Sequence, residues 1–348
     1  MKKTKACVVG HFAFGKELLN GQTVKTKILA EELERVYGKE NIAKIDTHGN
    51  KFKILWSVVK SVFAMFSCEN MVILPAHNGV RVFVPVLSKF AGVSKCKLHY
   101  AVIGGWLPEY IENKNGIKKG LKKFHGVYVE TTAMKNAMEE MGYDNILIMP
   151  NCKNLNILKE EELVYNNEKP YKLCTFSRVM KEKGIEDAVN AVNAINEKYG
   201  ETVYTLDIYG QVDAGQTEWF EELKASFPDC IKYGGLVPFD KSTDVLKDYF
   251  ALLFPTYYAG EGFAGTVIDA LAAGVPIVAS DWRYNSEVVN NGTTGRLFKT
   301  GNSKEFTDIL DEMFLNADSW NKLKLNCIRE AEEYLPKNVM KIMLDKFC

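Results

Sequence analysis

Two carboxylates lie eight residues apart in a glycine-rich segment, residues 260–274, which reads GEGFAGTVIDALAAG. Glu261 opens the turn, and Asp269 lies in the apolar helical pattern that follows it. A turn that leads into a helix presents backbone N–H groups that suit a phosphate. If the helix covered the whole interval, the carboxylates would lie about 12 Å apart, which is comparable to a nucleoside diphosphate. An isolated pattern of this kind fits two solvated acids on a helix equally well.

A second group of candidate residues lies in the loop SRVMKEKG, residues 177–184, directly after a predicted strand. Arg178 carries a planar guanidinium that matches phosphate oxygens, and Lys183 carries a point charge on a flexible stem. Together they could neutralise a diphosphate, although an arginine and a lysine in a loop are usually solvated.

The pattern of apolar runs explains what would position these residues. The order strand, glycine-containing loop, helix occurs at the start of the chain and again from residue 172, which is typical of doubly wound α/β domains. The first loop, residues 10–22, lacks G-x-G-x-x-G and is weak support for a dinucleotide. Residues 153–169 are polar and irregular enough to be a linker. We therefore predict two domains, residues 1–160 and residues 161–333.

Composition excludes several classes of protein. The 348 residues include 44 basic and 44 acidic side chains, so no overall positive field favours nucleic acid. The eight cysteines are scattered without C-x-x-C spacing, which indicates reduced thiols rather than a zinc or disulfide framework. The first apolar run is too short for a signal peptide, and no segment approaches the length of a membrane span. We expect a cytoplasmic protein, and peripheral association with the inner face of the membrane is an open alternative.

The block GEGFAGTVIDALAAGVPIVASDWRYNSEVVNNGTTGRLF, residues 260–298, resembles the signature region of family 4 retaining glycosyltransferases. The loop at residues 177–184 resembles the G-R-L-x-x-x-K-G segment of that family, and Met149-Pro150-Asn151 resembles its domain junction. The resemblance implies the glycosyltransferase-B architecture, in which two Rossmann-like doubly wound domains face a cleft. It also implies that a C-terminal helix, residues 334–348, packs back onto the first domain. One departure is Asp269, where the family has a longer glutamate.

The reaction that the resemblance implies is retaining transfer of a sugar from a nucleotide diphosphate-sugar, with UDP-sugar favoured, to a hydroxyl. Arg178 and Lys183 would stabilise the departing diphosphate, Glu261 would hold the sugar ring, and these three residues would be catalytic. Asp269 would hold the ribose. The remaining donor-binding residues implied by the family are Gly21, Gln22, Gly262, Phe263, Ala264, Gly265 and Thr266. Because the sequence has no D-x-D, we expect no obligatory metal and no cofactor.

The acceptor would be bound by the first domain. A strand predicted at residues 97–103 runs into Gly104, Gly105 and Trp106, which we assign to the acceptor side. The histidine that many relatives carry near this point is absent, and His99 lies too early to replace it. The opening residues and the GGWLP segment resemble bacterial enzymes of capsular and other surface polysaccharides. This implies a glycan or an undecaprenyl-diphosphate-linked acceptor, and a soluble acceptor remains open.

Two further segments have alternative interpretations. Residues 51–68 show helical apolar spacing, and we favour a core helix over a membrane-surface helix, although three lysines and Trp56 would suit the latter. The basic run KNGIKKGLKK, residues 114–123, fits a solvated helix face as well as it fits a surface that faces an anionic bilayer or a lipid pyrophosphate.

Other functions remain open beside transfer. A nucleotide-sugar 2-epimerase shares the fold and the donor, although the E-x7-D block and the arginine–lysine loop favour transfer. A catalytically silent subunit that binds a donor or a partner would account for Asp269 and for the absent histidine. A phosphorylase would need a pyridoxal-phosphate lysine, and the second half shows no motif for one.

Overall fold

The computed structural model describes residues 3–16, 18 and 21–347, apart from the side chain of Phe239. The chain divides into two compact units. Unit 1 consists of Met1–Asn154 together with Tyr334–Cys348, and unit 2 consists of Leu155–Glu333. The second unit is therefore an insertion into the first.

Unit 1 is built on a six-stranded parallel sheet whose strands alternate with helices. The strands are Thr4–Gly10 (β1), Ile42–Asp46 (β2), Cys68–Ile73 (β3), Lys97–Ala101 (β4), Gly126–Val129 (β5) and Ile146–Ile148 (β6). Their order across the sheet is β2-β1-β3-β4-β5-β6. The helices are Gly21–Tyr37 (α1), Lys51–Ala64 (α2), His77–Ser94 (α3), Leu107–Ile111 (α4), Asn115–Leu121 (α5) and Thr132–Glu140 (α6). The order reverses direction between β1 and β3.

The helix α2 differs from its sequence-based prediction in two ways. It ends at Ala64, and Cys68 already belongs to β3, so the predicted helix over residues 51–68 is too long. The core-helix interpretation is also wrong, because the buried residues of α2 are Ser57, Val58 and Ser61. The large apolar side chains are exposed instead, with Phe52 at 82% and Trp56 at 59% exposure.

Unit 2 repeats the architecture of unit 1. Its strands are Tyr171–Phe176 (β7), Tyr204–Tyr209 (β8), Ile231–Gly235 (β9), Ala251–Phe254 (β10), Ile277–Ser280 (β11) and Gly295–Phe298 (β12). They form a parallel sheet in the order β12-β11-β10-β7-β8-β9. The helices are Ile185–Tyr199 (α7), Thr217–Ala225 (α8), Ser242–Leu246 (α9), Gly265–Ala272 (α10), Ser303–Leu315 (α11), Ala317–Asn321 (α12) and Leu323–Ala331 (α13). The prediction of two doubly wound α/β domains is confirmed.

The chain enters unit 2 earlier than the predicted boundary at residue 160. Leu158 and Leu163 pack against Ile328, and the Leu158 N–H donates to the Ala272 carbonyl at 3.0 Å. The burial of these leucines explains why the polar segment 153–169 belongs to unit 2 from Leu155 onward.

The end of the chain completes unit 1. Two short helices, Pro336–Val339 (α14) and Lys341–Leu344 (α15), follow Tyr334. Val339, Met340, Met343 and Phe347 are buried in the same apolar cluster as residues of β1 and α1. Within residues 3–16, 18 and 21–347, no helix is both long enough and apolar enough to span a bilayer.

Candidate functional site

The centre of the unit 2 sheet is where its chain direction reverses. Strands β7 and β10 are neighbours, but the chain runs outward from β7 through β8 to β9 before it returns to β10. In open α/β sheets such a reversal leaves a crevice at the carboxyl ends of the two strands, and ligands bind there. The loops that leave these ends are residues 177–184 and residues 255–264, which contain the predicted catalytic residues.

A lysine–carboxylate pair joins the two loops. Lys183 Nζ lies 2.5 Å from Glu261 Oε2, and the two side chains are only 12% and 9% exposed. The Lys183 ammonium also lies 5.3 Å from the ring centres of Phe254 and Tyr258, which favours the cation. The structure therefore brings together two of the three residues that sequence reasoning predicted to be catalytic.

Thr256 holds the carboxylate in place. Its hydroxyl lies 2.9 Å from Glu261 Oε2 and 3.2 Å from the Glu182 carbonyl oxygen. Sequence reasoning missed this residue because a threonine after a strand has no distinctive spacing. The signal that could have found it is its place in the loop that follows the central strand β10.

Close backbone approach explains the glycine that follows Lys183. Gly184 has φ +68°, and a Cβ at this position would lie 2.2 Å from the Pro255 carbonyl oxygen. The Tyr257 N–H donates to the Glu182 carbonyl at 2.8 Å, which fixes the two loops side by side. A side chain at position 184 would force the loops apart, and Lys183 would then move away from Glu261.

The loop of residues 177–184 is also tied down from its other side by Gln216. The amide of Gln216 donates to Glu182 Oε2 at 2.9 Å and accepts from the Lys181 N–H at 2.7 Å. The first of these hydrogen bonds lowers the pKa of the Glu182 carboxyl. Sequence reasoning missed Gln216, which precedes α8 and lies far from the loop in the chain.

Arg178 is directed elsewhere. Its side chain is 54% exposed, and its guanidinium lies 3.4 Å from Asp213 Oδ2. The structure thus places Arg178 in the predicted loop but pairs it with a different carboxylate from the one that binds Lys183. A long surface pair of this kind contributes about 0–1 kcal/mol, so the guanidinium is free to exchange partners.

Helix α10 begins at this crevice. Its N-cap, Ala264, makes no side-chain capping hydrogen bond, and the Thr266 hydroxyl donates to the Phe176 carbonyl at the end of β7. Phe263 and Ala264 are buried, and Gly262 is half-buried just ahead of them. The predicted residues 261–266 therefore comprise the turn of residues 261–264 and the first two residues of α10, which begins beside the end of β7.

The separation of about 12 Å between the two carboxylates assumed that a helix covers the whole interval between them, and the structure has no such helix there. Helix α10 starts only at Gly265, so a turn rather than a helix covers the first half of the interval from Glu261 to Asp269. Both residues are buried, at 7% and 6% exposure.

The ends of β8 and β9 lie beside the same loop. A Cβ on Gly210 would lie 1.8 Å from the Ser177 carbonyl oxygen, and the Gly210 N–H donates to the Gly235 carbonyl at 2.9 Å. Gly210 has φ +135°, so both its conformation and its close contact require glycine. Backbone rather than side chains therefore forms this edge of the crevice.

Unit 1 has its own cavity at the point where its strand order reverses. Gln22, at the start of α1, donates from Nε2 to the Leu74 carbonyl just after β3 at 3.1 Å. A cavity of about 580 Å³ adjoins this bond, and its lining includes His11, Gln22, Lys51, Leu55, His77 and Val82. Gly21 begins α1, and a Cβ there would meet no atom within 4 Å, so sterics do not require this glycine.

A histidine pair at this cavity was missed by sequence reasoning. His11 Nδ1 lies 2.7 Å from Thr23 Oγ1, and His11 Nε2 lies 2.9 Å from His48 Nδ1. Burial, and then the neighbouring His48, lower the pKa of His11, which favours the neutral ring. The carboxyl ends of the neighbouring strands β1 and β2 bring the two histidines together, and no local spacing shows it.

The predicted acceptor-side residues follow β4. Gly104 has φ +82°, and its N–H donates to Glu130 Oε2 at 3.2 Å. Glu130 is itself paired through Oε1 with Lys25 Nζ of α1 at 2.5 Å, and both side chains are 3% exposed. Gly105 precedes Trp106, whose ring stacks on His77 with centroids 3.9 Å apart. Of the three residues, Trp106 thus contacts a side chain that lines the cavity.

His99 has a structural role. It is fully buried in β4, where Nδ1 lies 3.0 Å from the Tyr128 hydroxyl and Nε2 lies 3.2 Å from Asn70 Oδ1. Burial lowers its pKa to about 3, so the ring is neutral at physiological pH. Its enclosure agrees with leaving it out of the predicted site.

Across the described part of the chain, no three His, Cys, Asp or Glu side chains converge as a metal site would require. Metal independence itself stays a prediction.

Comparison with known proteins identifies the family. Residues 159–334, half of the chain, match the family model described as Glycosyl transferases group 1. The chain belongs to this family. The match covers nearly all of unit 2, including Lys183, Glu261 and α10, and it confirms the resemblance to family 4 glycosyltransferases.

Curated relatives of this glycosyltransferase match over part of their length. The amylovoran biosynthesis glycosyltransferase AmsK of Erwinia amylovora is 24% identical over 145 residues, which cover 40% of this chain and 35% of AmsK. The GtfA subunit of a UDP-N-acetylglucosamine–peptide N-acetylglucosaminyltransferase from Streptococcus agalactiae is 31% identical over 143 residues, covering 41% of this chain and 27% of GtfA. The chain thus spans about a third of the length of these relatives.

Solved structures match over the full chain. Anabaena HepE, crystallised with UDP, has a TM-score of 0.74 at 14% identity and is covered to 99%, as is this chain. The sucrose-phosphate synthase of Thermosynechococcus elongatus has a TM-score of 0.73 at 13% identity, with 98% of this chain and 97% of that chain covered. These similarities show the fold, which is the two-domain α/β architecture of glycosyltransferase-B proteins.

Proposed function

We propose that this glycosyltransferase moves a sugar from a UDP-sugar, with retention at the anomeric carbon, to a hydroxyl of a glycan or lipid-linked saccharide in surface polysaccharide assembly. The observation that carries the proposal is the Lys183–Glu261 pair at the strand reversal of unit 2, beside the start of α10. One cation, one carboxylate and a helix N-terminus in a single crevice are suited to a sugar diphosphate.

The diphosphate is the group that must leave. Its charge grows as the bond to the anomeric carbon breaks, and groups already aimed at that charge lower the barrier. In the proposed complex Lys183 donates to a diphosphate oxygen, and the backbone N–H groups at Gly265 and Thr266 face the same group. Glu261, held by Thr256, then accepts hydrogen bonds from sugar hydroxyls.

Arg178 would supply the second cation. Because its contact with Asp213 is long and exposed, turning the guanidinium toward a phosphate costs little. Two cations and a helix N-terminus provide the charge compensation that a divalent metal provides in other enzymes. We therefore propose that transfer needs no metal and no cofactor, and that Asp269 of α10 binds the ribose.

The choice of donor and acceptor rests on similar proteins. HepE has been crystallised with UDP-glucose, GtfA is named for UDP-N-acetylglucosamine, and AmsK is named for amylovoran biosynthesis. These names support a UDP-sugar donor and a surface polysaccharide acceptor, carried on undecaprenyl diphosphate or on another glycan. In this proposal unit 1 binds the acceptor, with Gly104, Gly105 and Trp106 on the acceptor side, at the inner face of the membrane.

A thermal-shift panel tests the donor site first. UDP, GDP and ADP are added with and without magnesium to wild type, Arg178→Ala and Lys183→Met, with Lys181→Ala as the control from the same loop. A nucleotide at a hundred times its dissociation constant stabilises by about 2.7 kcal/mol. We expect UDP to shift wild type and Lys181→Ala without magnesium, and to shift the two site variants much less. If no nucleotide shifts the wild type, the donor-site assignment is wrong and a silent subunit becomes the better interpretation.

A separate measurement tests whether transfer retains the configuration at the anomeric carbon. Incubation with UDP-glucose or UDP-N-acetylglucosamine and a soluble acceptor sugar is followed by NMR of the anomeric proton. A product with the α configuration of the donor supports retention, and a β product contradicts it. An epimerised donor with no new glycosidic bond would instead identify a 2-epimerase.

A further inference from the structure

The surface of unit 1 carries an exposed apolar stripe along α2. Five large side chains face outward on or just after this helix, with exposures of 48–82%: Phe52, Leu55, Trp56, Phe63 and Phe66. The face toward the protein is small and partly polar, since Ser57 and Ser61 turn their hydroxyls back to helix carbonyls at 2.6 and 2.7 Å. The larger apolar face of α2 is therefore unpartnered within its own unit.

The charges of α2 flank this stripe on both sides. At about 100° per residue, Phe52, Trp56 and Phe63 lie within roughly 40° of one another around the helix axis. Lys53 and Lys60 lie roughly 60–100° to one side of that group, and Lys51 lies about as far to the other. A helix with an apolar face bordered by lysines and a tryptophan is the type that lies in the plane of a bilayer surface.

The chain segment that contains α2 is predominantly basic. Residues 47–95 contain Lys51, Lys53, Lys60, Arg81, Lys89 and Lys95 but a single acid, Glu69. Glu69 is already paired with Lys5 at 2.9 Å. Six basic residues against one acidic residue in this segment, in a chain whose total charge is zero, show that basic residues are concentrated here.

Charge decides between the possible occupants of the stripe. In a symmetric dimer formed through α2, the same three lysines of both copies would be brought together, and like charges at an interface oppose association. Anionic lipid headgroups would instead neutralise the lysines while the acyl chains receive the aromatic rings. The complementary occupant is therefore a negatively charged bilayer.

We propose that α2 together with Phe66 docks unit 1 peripherally on an anionic lipid bilayer, with the helix axis parallel to the membrane plane. Phe52, Trp56 and Phe63 enter the boundary between headgroups and acyl chains, and Lys51, Lys53 and Lys60 contact lipid phosphates. Lys51 and Leu55 also line the cavity of about 580 Å³, so docking presents that cavity next to the lipid. The inference goes beyond sugar transfer and does not depend on the donor site in unit 2.

Vesicle binding of the full chain tests the proposal. Sedimentation is measured with vesicles of phosphatidylglycerol and phosphatidylcholine in equal parts, and with phosphatidylcholine alone. We expect the wild type to bind the anionic vesicles and to bind less as salt is raised. The triple variant Phe52→Ser/Trp56→Ser/Phe63→Ser should bind at least about tenfold more weakly. Lys53→Gln/Lys60→Gln should lose about 25-fold, since each lysine contributes about fivefold.

Two matched controls separate α2 from the rest of the surface. Tyr165→Ser/Leu315→Ser removes exposed apolar side chains of unit 2, and Lys119→Gln/Lys123→Gln removes charges from the basic run near α5. Both should bind anionic vesicles as the wild type does. Lys183→Met should also bind normally, so that a failed donor site and a failed membrane surface are distinguishable. Because the side chains substituted in the α2 variants and in the two matched controls are exposed, the circular dichroism and melting temperature of these variants should stay unchanged.

Three results would overturn the proposal. The first is absence of wild-type binding to anionic vesicles at low salt. The second is retention of binding by the triple α2 variant, or its loss in the α5 control instead. The third is sedimentation velocity showing a wild-type dimer that the triple α2 variant dissociates, which would assign the stripe to a second copy. A blue shift of fluorescence on vesicle addition that Trp56→Phe abolishes would support insertion of the stripe directly.

Discussion

Each unit of this glycosyltransferase places a lysine–glutamate pair near the carboxyl ends of its parallel strands, and the two pairs differ in their surroundings. In unit 1, Lys25 of α1 meets Glu130 after β5 at 2.5 Å, with both side chains 3% exposed. In unit 2, Lys183 meets Glu261 at the same distance, with 12% and 9% exposure. The same two groups at the same separation therefore occupy an enclosed position and a position at the edge of a crevice.

The partners of each pair explain the difference. Lys25 also donates to the Val102 carbonyl at 3.1 Å, and Glu130 accepts from the Gly104 N–H, so the pair joins α1 to the ends of β4 and β5. Glu261 is bound by Thr256, and Lys183 lies beside two aromatic rings. The first pair holds backbone segments together, whereas the second holds two side chains ready for a ligand. A short lysine–carboxylate distance by itself does not identify a binding site.

The largest expected effect is on unit 1. Lys25→Met leaves the Glu130 carboxylate buried without its cation, and we expect a loss of about 3–5 kcal/mol in the free energy of unfolding. Urea denaturation with separate probes for the two units measures this loss. Lys5→Met, which removes the exposed pair with Glu69, is the control and should cost about 1 kcal/mol or less. If the two variants lose similar amounts of free energy of unfolding, the Lys25–Glu130 pair has no special structural role.

Glu261→Gln tests the role of the Lys183–Glu261 pair in unit 2. We expect the rate of sugar transfer to fall about 10²–10³-fold, because the neutral amide can no longer hold the sugar and orient Lys183. The free energy of unfolding should change by less than it does in Lys25→Met. Steady-state kinetics and urea denaturation on the same preparation give both numbers. If Glu261→Gln is strongly destabilised but transfers sugar at the normal rate, the Lys183–Glu261 pair is structural rather than functional.

The pKa of Lys324 shows the effect of burial on a lysine that donates to a backbone carbonyl rather than to a carboxylate. Lys324 of α13 is fully buried, donates to the Tyr249 carbonyl at 2.9 Å, and burial lowers its pKa to about 8. Between pH 8 and the ordinary lysine pKa, the unfolded chain binds more protons than the folded one, so stability rises with pH. We expect the stability difference between wild type and Lys324→Met to shift by about 2 kcal/mol toward wild type from pH 7 to pH 10. Denaturation curves at several pH values measure this shift, and a constant difference would contradict it.

The smallest effect concerns the exposed pair of Arg178. Asp213→Ala removes a long surface contact, and the free energy of unfolding should change by about 0.5 kcal/mol or less. Calorimetric titration with UDP should show an affinity equal to or slightly above that of the wild type, because the guanidinium no longer exchanges one carboxylate for the ligand. A large loss of UDP affinity would mean that Asp213 positions Arg178 rather than competing for it.

Local patterns in the sequence predicted much of the fold. The order strand, glycine-containing loop, helix that was predicted from residue 172 is found as β7, the loop of residues 177–184 and α7, because apolar periodicity and flanking glycines mark these elements. The loop with Lys183 and the turn with Glu261 were also located, since each follows a central strand. The Lys183–Glu261 contact closes a separation of 78 residues and follows from the strand order rather than from either motif.

Other features could not be read from the sequence for physical reasons. Periodicity shows which residues of α2 share a face, but it does not show which face points to the protein. The assumption that the larger apolar face is buried therefore failed, because Ser57 and Ser61 pack inward. The Lys25–Glu130 pair joins residues separated by 105 positions, and no local signal marks either partner.

The insertion of unit 2 into unit 1 has a consequence for synthesis on the ribosome. All six strands of unit 1 emerge first, but the side chains of Val339, Met340, Met343 and Phe347 that cover β1 and α1 emerge only after the whole of unit 2. At about 5–20 residues per second, this delay is on the order of ten to forty seconds. During that time the nascent unit 1 exposes an apolar surface that its own chain will later cover. The growing polypeptide should therefore be a substrate for ribosome-associated chaperones until α14 and α15 are released.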